Sequence, residues 1–276
     1  MMKNYSVMML AILCIVNTSF GQNVPNYVPT NGLVGWWPLN GNTNDDSGNG
    51  NNGSVKEATL ISDRNGNENS AFYFDGVNNF ININSIPKET FSNNQLTYSI
   101  WVNLIDSKDN QQIIYINNTI GINKPSILSP NELVINDGFS HKSTITNKSI
   151  GFLNWLNIIG VYNNDYIELY INGEKVYSSS TWNNQPIDYA VKAILIGSNK
   201  EALTRVNGGI DDLSIHNRVL SQQEITNLYK GRLNSNNQSE ILNQSKSYRI
   251  EYGIEANPNQ KEVGTGYTTI EMKDFK

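Results

Sequence analysis

The sequence predicts an all-β sandwich carrying one short helix near the end of the folded region. Three observations predict it. Short apolar runs recur at close spacing, separated by Asn- and Gly-rich turn segments. Tyr166–Ser178 alternates apolar and polar residues on both sides of Asn172-Gly173, the signature of a two-residue hairpin. A single segment, Ser221–Gly231, has helical spacing with start and stop signals.

Taken in order, the candidate strands are Leu33–Leu39, Ala71–Phe74, Phe80–Ile83, Leu96–Leu104, Gln112–Asn117, Glu132–Asn136 and Trp155–Tyr162. Tyr166–Ile171, Lys175–Ser179, Ala193–Gly197 and Gly209–His216 complete the set. Ile167, Leu169 and Ile171 form one apolar face, and Asn172-Gly173 suits a type I′ turn, where both central residues need positive φ. Asn163-Asn164 marks another tight turn just before it, so the three strands read as a meander. For the helix, Ser221 and Glu224 make a capping box, Leu220 and Ile225 a hydrophobic staple, and Gly231 a left-handed C-cap. Ile225, Leu228 and Tyr229 share one face, so the helix is expected to pack on the sandwich.

The chain of 276 residues divides into four parts. Residues 1–21 read as a signal peptide: Lys3, then the apolar run Val7–Val16, then Ser19-Phe20-Gly21 before a cut at Gln22. That apolar run is too short to span a bilayer comfortably, and no later segment is long enough. Residues 22–31 form a lead, 32–231 the sandwich, and 232–276 a polar linker with a tail or hairpin. The expectation is a secreted or cell-surface protein without a membrane span in the mature chain.

The single cysteine, Cys14, lies within the signal segment behind Leu13, where a lipoprotein needs a small residue. The mature chain then has neither disulfide nor thiol nucleophile. A net charge of −5 with no basic stripe argues against nucleic acid. Two histidines, His141 and His216, rule out a three-histidine zinc site. Gly48–Gly53 matches G-x-G-x-x-G, but no helical pattern follows it, so it reads as a loop. Asp63–Asn67 resembles the start of a calcium loop, yet Glu68 stands where that loop needs glycine, so it reads as a turn.

Three stretches resemble the laminin-G-like family: Gly32–Gly41 with Asp45–Gly50, Ala71–Gly76 with Tyr98–Val102, and Gly209–Ser221. The resemblance covers about 32–231 and implies an antiparallel two-sheet jelly-roll sandwich of the concanavalin A-like type. Related glucanases carry E-x-D-x-x-E on one strand, and this sequence has no such spacing. The expectation is therefore a non-catalytic binding module for a polysaccharide or other glycan, with a protein-interaction or adhesion module of the cell surface as the alternative and a glycoside-active enzyme behind it.

Trp182, in the polar segment Ser178–Asp188, and nearby Tyr189 are the candidate ligand-binding aromatics. Trp36, Trp37, Trp101 and Trp155 lie in apolar runs and are expected in the core. A structural calcium ion is expected between Asp45 and Asp46 on one loop and Asp211 and Asp212 on the last strand. Alternation along that strand would aim one of the last two at the metal and the other away from it. The competing reading has Asp45 and Asp46 capping turns and Asp211 paired with a basic side chain.

Overall fold

The computed structural model describes residues 23–231 except 85, 92, 106–110, 117–119, 125–132, 138–141, 146–152, 164, 180–192 and 200–204. Two antiparallel sheets lie face to face. The eight-stranded sheet contains β1 (Leu33–Trp37), β3 (Thr59–Ile61), β4 (Ala71–Asp75), β6 (Leu96–Leu104), β11 (Leu156–Tyr162), β12 (Ile167–Ile171), β13 (Glu174–Ser179) and β15 (Asn207–His216). Its order is β13-β12-β11-β6-β15-β4-β3, with β1 also paired to β15. The seven-stranded sheet contains β2 (Gly53–Lys56), β5 (Phe80–Asn84), β7 (Gln111–Ile116), β8 (Ile120–Lys124), β9 (Leu133–Asp137), β10 (Lys142–Ile145) and β14 (Ala193–Ile196), in the order β10-β9-β8-β7-β14-β5-β2. The fold is the all-β sandwich the sequence predicts, with one α-helix among the described residues, α1 (Gln222–Lys230).

The inner faces of the sheets enclose the main core, where Trp37, Phe74, Ile81, Ile100, Ile114 and Ile210 are fully buried. Each aliphatic or phenylalanine side chain so buried contributes about 1.5–3 kcal/mol. A second, smaller core lies on the outer face of the eight-stranded sheet. There Trp36, Ile159, Val161 and Tyr170 pack against Ile225 and Leu228 of α1 and Val28 of the N-terminal lead. The capping box is present: Ser221 Oγ accepts from Glu224 N–H at 3.3 Å, and Glu224 Oε2 accepts from Ser221 N–H at 2.8 Å.

Gly231 departs from expectation. Its φ is −65°, so it does not close the helix in the left-handed form. A Cβ there would lie 2.1 Å from Cβ of Tyr27, so glycine serves the close approach of the lead. The β12–β13 turn is as read, with φ of 52° at Asn172 and 78° at Gly173. Trp36, Trp37 and Trp101 are buried, whereas Trp155 is half-buried ahead of β11, against Gly209. Four strands were not anticipated: β2, β3, β8 and β10.

Candidate functional site

β15 is the strand that organises the acidic segment. It pairs with β6 along one side; on the other it pairs first with β4, through Asn207–Ile210, and then with β1, through Leu213–His216. Where the partner changes, between Asp211 and Ser214, the register shifts, and Asp212 takes a φ of 42°. The bulge breaks the alternation. Ile210, Leu213 and Ile215 are all in the main core, so Asp211 and Asp212 both fall on the outer side. This corrects the expectation that the two aspartates point opposite ways.

Both carboxylates are buried and both are bound by Arg64. Its Nη1 lies 2.7 Å from Oδ2 of Asp211, and Nη2 lies 2.6 Å from Oδ2 of Asp212. The guanidinium also stacks on Trp101, 4.2 Å from the ring centre, and Trp101 stacks in turn on Tyr229 of α1. Arg64 is aimed by its own turn. Asp63 accepts from the backbone N–H of Asn65 at 2.8 Å and of Asn67 at 2.9 Å. Burial alone would raise the Asp63 pKa, but these bonds and those from the Asn67 and Asn65 side chains outweigh it and hold the carboxyl low.

The other acidic segment is a separate piece of architecture. Asp45 accepts from the backbone N–H of Trp36, Ser47 and Asn51 at 3.0, 3.0 and 2.9 Å. The Gly48–Gly53 stretch is stitched to β1 by Asn49 and Asn51 side chains donating to Val34 O, and it leads into a strand, not a helix. Asp46 is shifted upward by burial and by the neighbouring Asp45 carboxylate.

The four aspartates therefore do not form one donor set. Among the described residues, no three His, Cys, Asp or Glu side chains converge as metal ligands. The arrangement does not fit calcium. A guanidinium occupies the position of the cation beside Asp211 and Asp212, and backbone amides engage Asp45. Trp182 and Tyr189 lie outside the described residues, as do the signal segment 1–21 and the tail 232–276.

A different surface gathers sugar-compatible groups that the sequence reading did not single out. On the seven-stranded sheet, Ser54, Asn82, Leu195, Tyr115 and Gly121 stand opposite one another across β2, β5, β14, β7 and β8. Their neighbours in the same strands, Ile81, Ile83, Ile114, Ile194 and Ile196, fill the main core. The row therefore lies on the outer face, with Asn82, Tyr115 and Leu195 half-buried. Strand alternation was the available signal: Phe80-Ile81-Asn82-Ile83 exposes an aromatic and an amide on one face.

A family profile described as the concanavalin A-like lectin/glucanases superfamily matches residues 74–226. No curated protein shows a significant sequence match. Among solved structures, a Trypanosoma rangeli sialidase mutant displaying trans-sialidase activity aligns with a TM-score of 0.59 at 17% identity, over 73% of this chain and 33% of that one. The binding domain of Botulinum neurotoxin DC in complex with rat synaptotagmin II aligns with a TM-score of 0.56 at 18% identity, over 74% of this chain and 52% of that one. The chain thus spans about a third of the sialidase and about half of the toxin domain. At these identities the likeness establishes the fold alone. It also corrects the expectation of a non-catalytic chain: the fold occurs in enzymes as well as in binding domains, so the missing glucanase motif does not exclude catalysis.

Proposed function

The chain belongs to the concanavalin A-like lectin/glucanases superfamily, and from that premise we propose that it is a carbohydrate-recognition module of an exported protein. The observation that carries this reading is the contrast between the two outer faces. The outer face of the eight-stranded sheet is covered by α1 and the lead, whose apolar side chains seal it. The outer face of the seven-stranded sheet instead carries Tyr115, Asn82 and Ser54 in one row, with the Ser54 hydroxyl donating to the Asn82 carbonyl. An aromatic ring beside amide and hydroxyl groups suits a pyranose, which has an apolar C–H face and hydroxyls at its rim. The candidate platform from sequence, Trp182 with Tyr189, belongs to the same proposal as a second contact.

The test is a glycan-array screen of the purified chain, followed by titration of the best hit. Tyr115→Ala is expected to weaken binding by about 1–3 kcal/mol, the scale of losing an aromatic stacking platform, with the melting temperature preserved. Trp182→Ala is the parallel test of the second platform. Binding confined to surface proteins, with no glycan retained, would overturn the reading.

A further inference from the structure

At one end of the outer face of the seven-stranded sheet, two cations converge on one ring. Phe80 lies two residues before Asn82 on β5, on the same face, and stands opposite Lys56 of β2. The Lys56 ammonium lies 5.5 Å from the centre of the Phe80 ring. The Arg205 guanidinium lies 5.6 Å from the same centre, brought there by the bridge that pairs Ser198, just beyond β14, with Arg205.

Neither cation is neutralised by an ion pair among the described residues. Arg205 Nη1 donates to the Ser198 hydroxyl, while its Nε–H is buried without a partner. Burial opposes its charge, and Asp75 offsets this only as a charge nearby. Among the described residues, the nearby carboxylates of Asp75 and Glu57 are engaged with the turn after β4. Asp75 accepts from the backbone N–H of Val77 at 2.8 Å and of Asn78 at 3.3 Å, and Glu57 accepts from the Asn78 amide. A half-buried guanidinium that donates to a neutral hydroxyl retains donors suited to a planar anion. In a chain of net charge −5, two unpaired cations on one ring form a local exception.

We propose that Lys56 and Arg205, positioned on Phe80, form an anion subsite that selects acidic saccharides, those bearing carboxylate or sulfate groups. This rests on the carbohydrate reading above and extends it: the sugar ring lies along the Asn82–Tyr115 row, and its acidic substituent reaches the cation pair.

The experiment is isothermal titration of the purified chain with tetragalacturonate, a sulfated galactose tetramer and neutral galactotetraose, at low and at raised salt. At least one acidic tetramer is expected to bind about tenfold or more tightly than the neutral one, with the preference shrinking as salt rises. Lys56→Gln and Arg205→Gln are each expected to remove most of that preference without changing neutral-sugar affinity. Should Arg205→Gln unfold, Lys56→Gln carries the test, because Lys56 is exposed. Equal affinity for acidic and neutral tetramers overturns the anion subsite and leaves the carbohydrate reading standing. An acidic preference that survives both variants also overturns the subsite, and failure of every oligosaccharide to bind overturns both proposals.

Discussion

Arg64 is a single residue on which two buried charges depend. Its side chain is 7% exposed, and those of Asp211 and Asp212 are 0% and 2% exposed. Removing one partner of a buried pair leaves the other charge uncompensated, so Arg64→Ala is expected to cost about 3–5 kcal/mol, read by urea or thermal unfolding. Arg64→Lys is expected to recover only part of this loss, because an ammonium lacks the fork that reaches both carboxylates and stacks on Trp101. The melting curve of the unsubstituted chain is expected to be the same with and without chelator. A fall in melting temperature on chelation would show that a metal shares the charge of these aspartates after all. The sequence displayed the acidic half of this cluster and concealed the basic half. Arg64 lies 147 positions from Asp211, in a segment that reads as an ordinary Asx turn. Nothing local distinguishes a tethered guanidinium from a free ion as the counter-charge.

At the scale of the element, β15 and its neighbours mark how far periodicity carries. β6 was legible end to end, because its apolar run is long and central. β2 and β3 were not, because they are short edge strands: Ser54, Val55, Lys56, Thr59 and Leu60 are all exposed, so no buried face imposes alternation. The bulge in β15 was partly legible, since Leu213 stands three positions after Ile210 where an offset of two would keep the face. The same strand ends in His216, which is fully buried and bonded through Nε2 to Pro29 O at 2.9 Å. Burial lowers its pKa from 6.5 to about 4, with Arg218 nearby acting in the same direction and Glu224 and the Pro29 carbonyl opposing. The unfolded chain therefore takes up a proton more readily than the folded one. The contribution of His216 is complete above pH 6.5 and is lost as pH falls toward about 4. Glu224, lowered to about 2 chiefly by its bond from Arg218, loses its contribution later, from about pH 4.5 downward. Thermal melts against pH are expected to show the first loss in the unsubstituted chain and a flatter profile in His216→Gln, which keeps an N–H for Pro29. Parallel profiles in the two proteins would count against His216 as the source.

At the scale of the whole molecule, the two outer faces differ, because the lead and α1 cover one of them. The lead and α1 meet on the eight-stranded sheet, where Tyr27 packs edge-on against Trp36 at 6.3 Å and adjoins Gly231. Residues 23–31 and α1 thus lie on one side of the sandwich, and the Asn82–Tyr115 row lies on the outer face of the other sheet. The sequence division into a lead of 22–31 and a sandwich of 32–231 is too sharp in this light. Val28 is buried in the second core, and Pro29 accepts from His216, so the lead belongs to the folded unit. Among the described residues, the buried members of both cores run from Val28 to Leu228. Deleting residues through Asn31 removes the burial of Val28 and the Tyr27–Trp36 contact, an expected loss of roughly 2–4 kcal/mol. It also uncovers Trp36, so native tryptophan emission should shift to longer wavelength. If the shortened chain kept both its melting temperature and its emission maximum, the lead would be an appendage and the second core would be held by α1 alone.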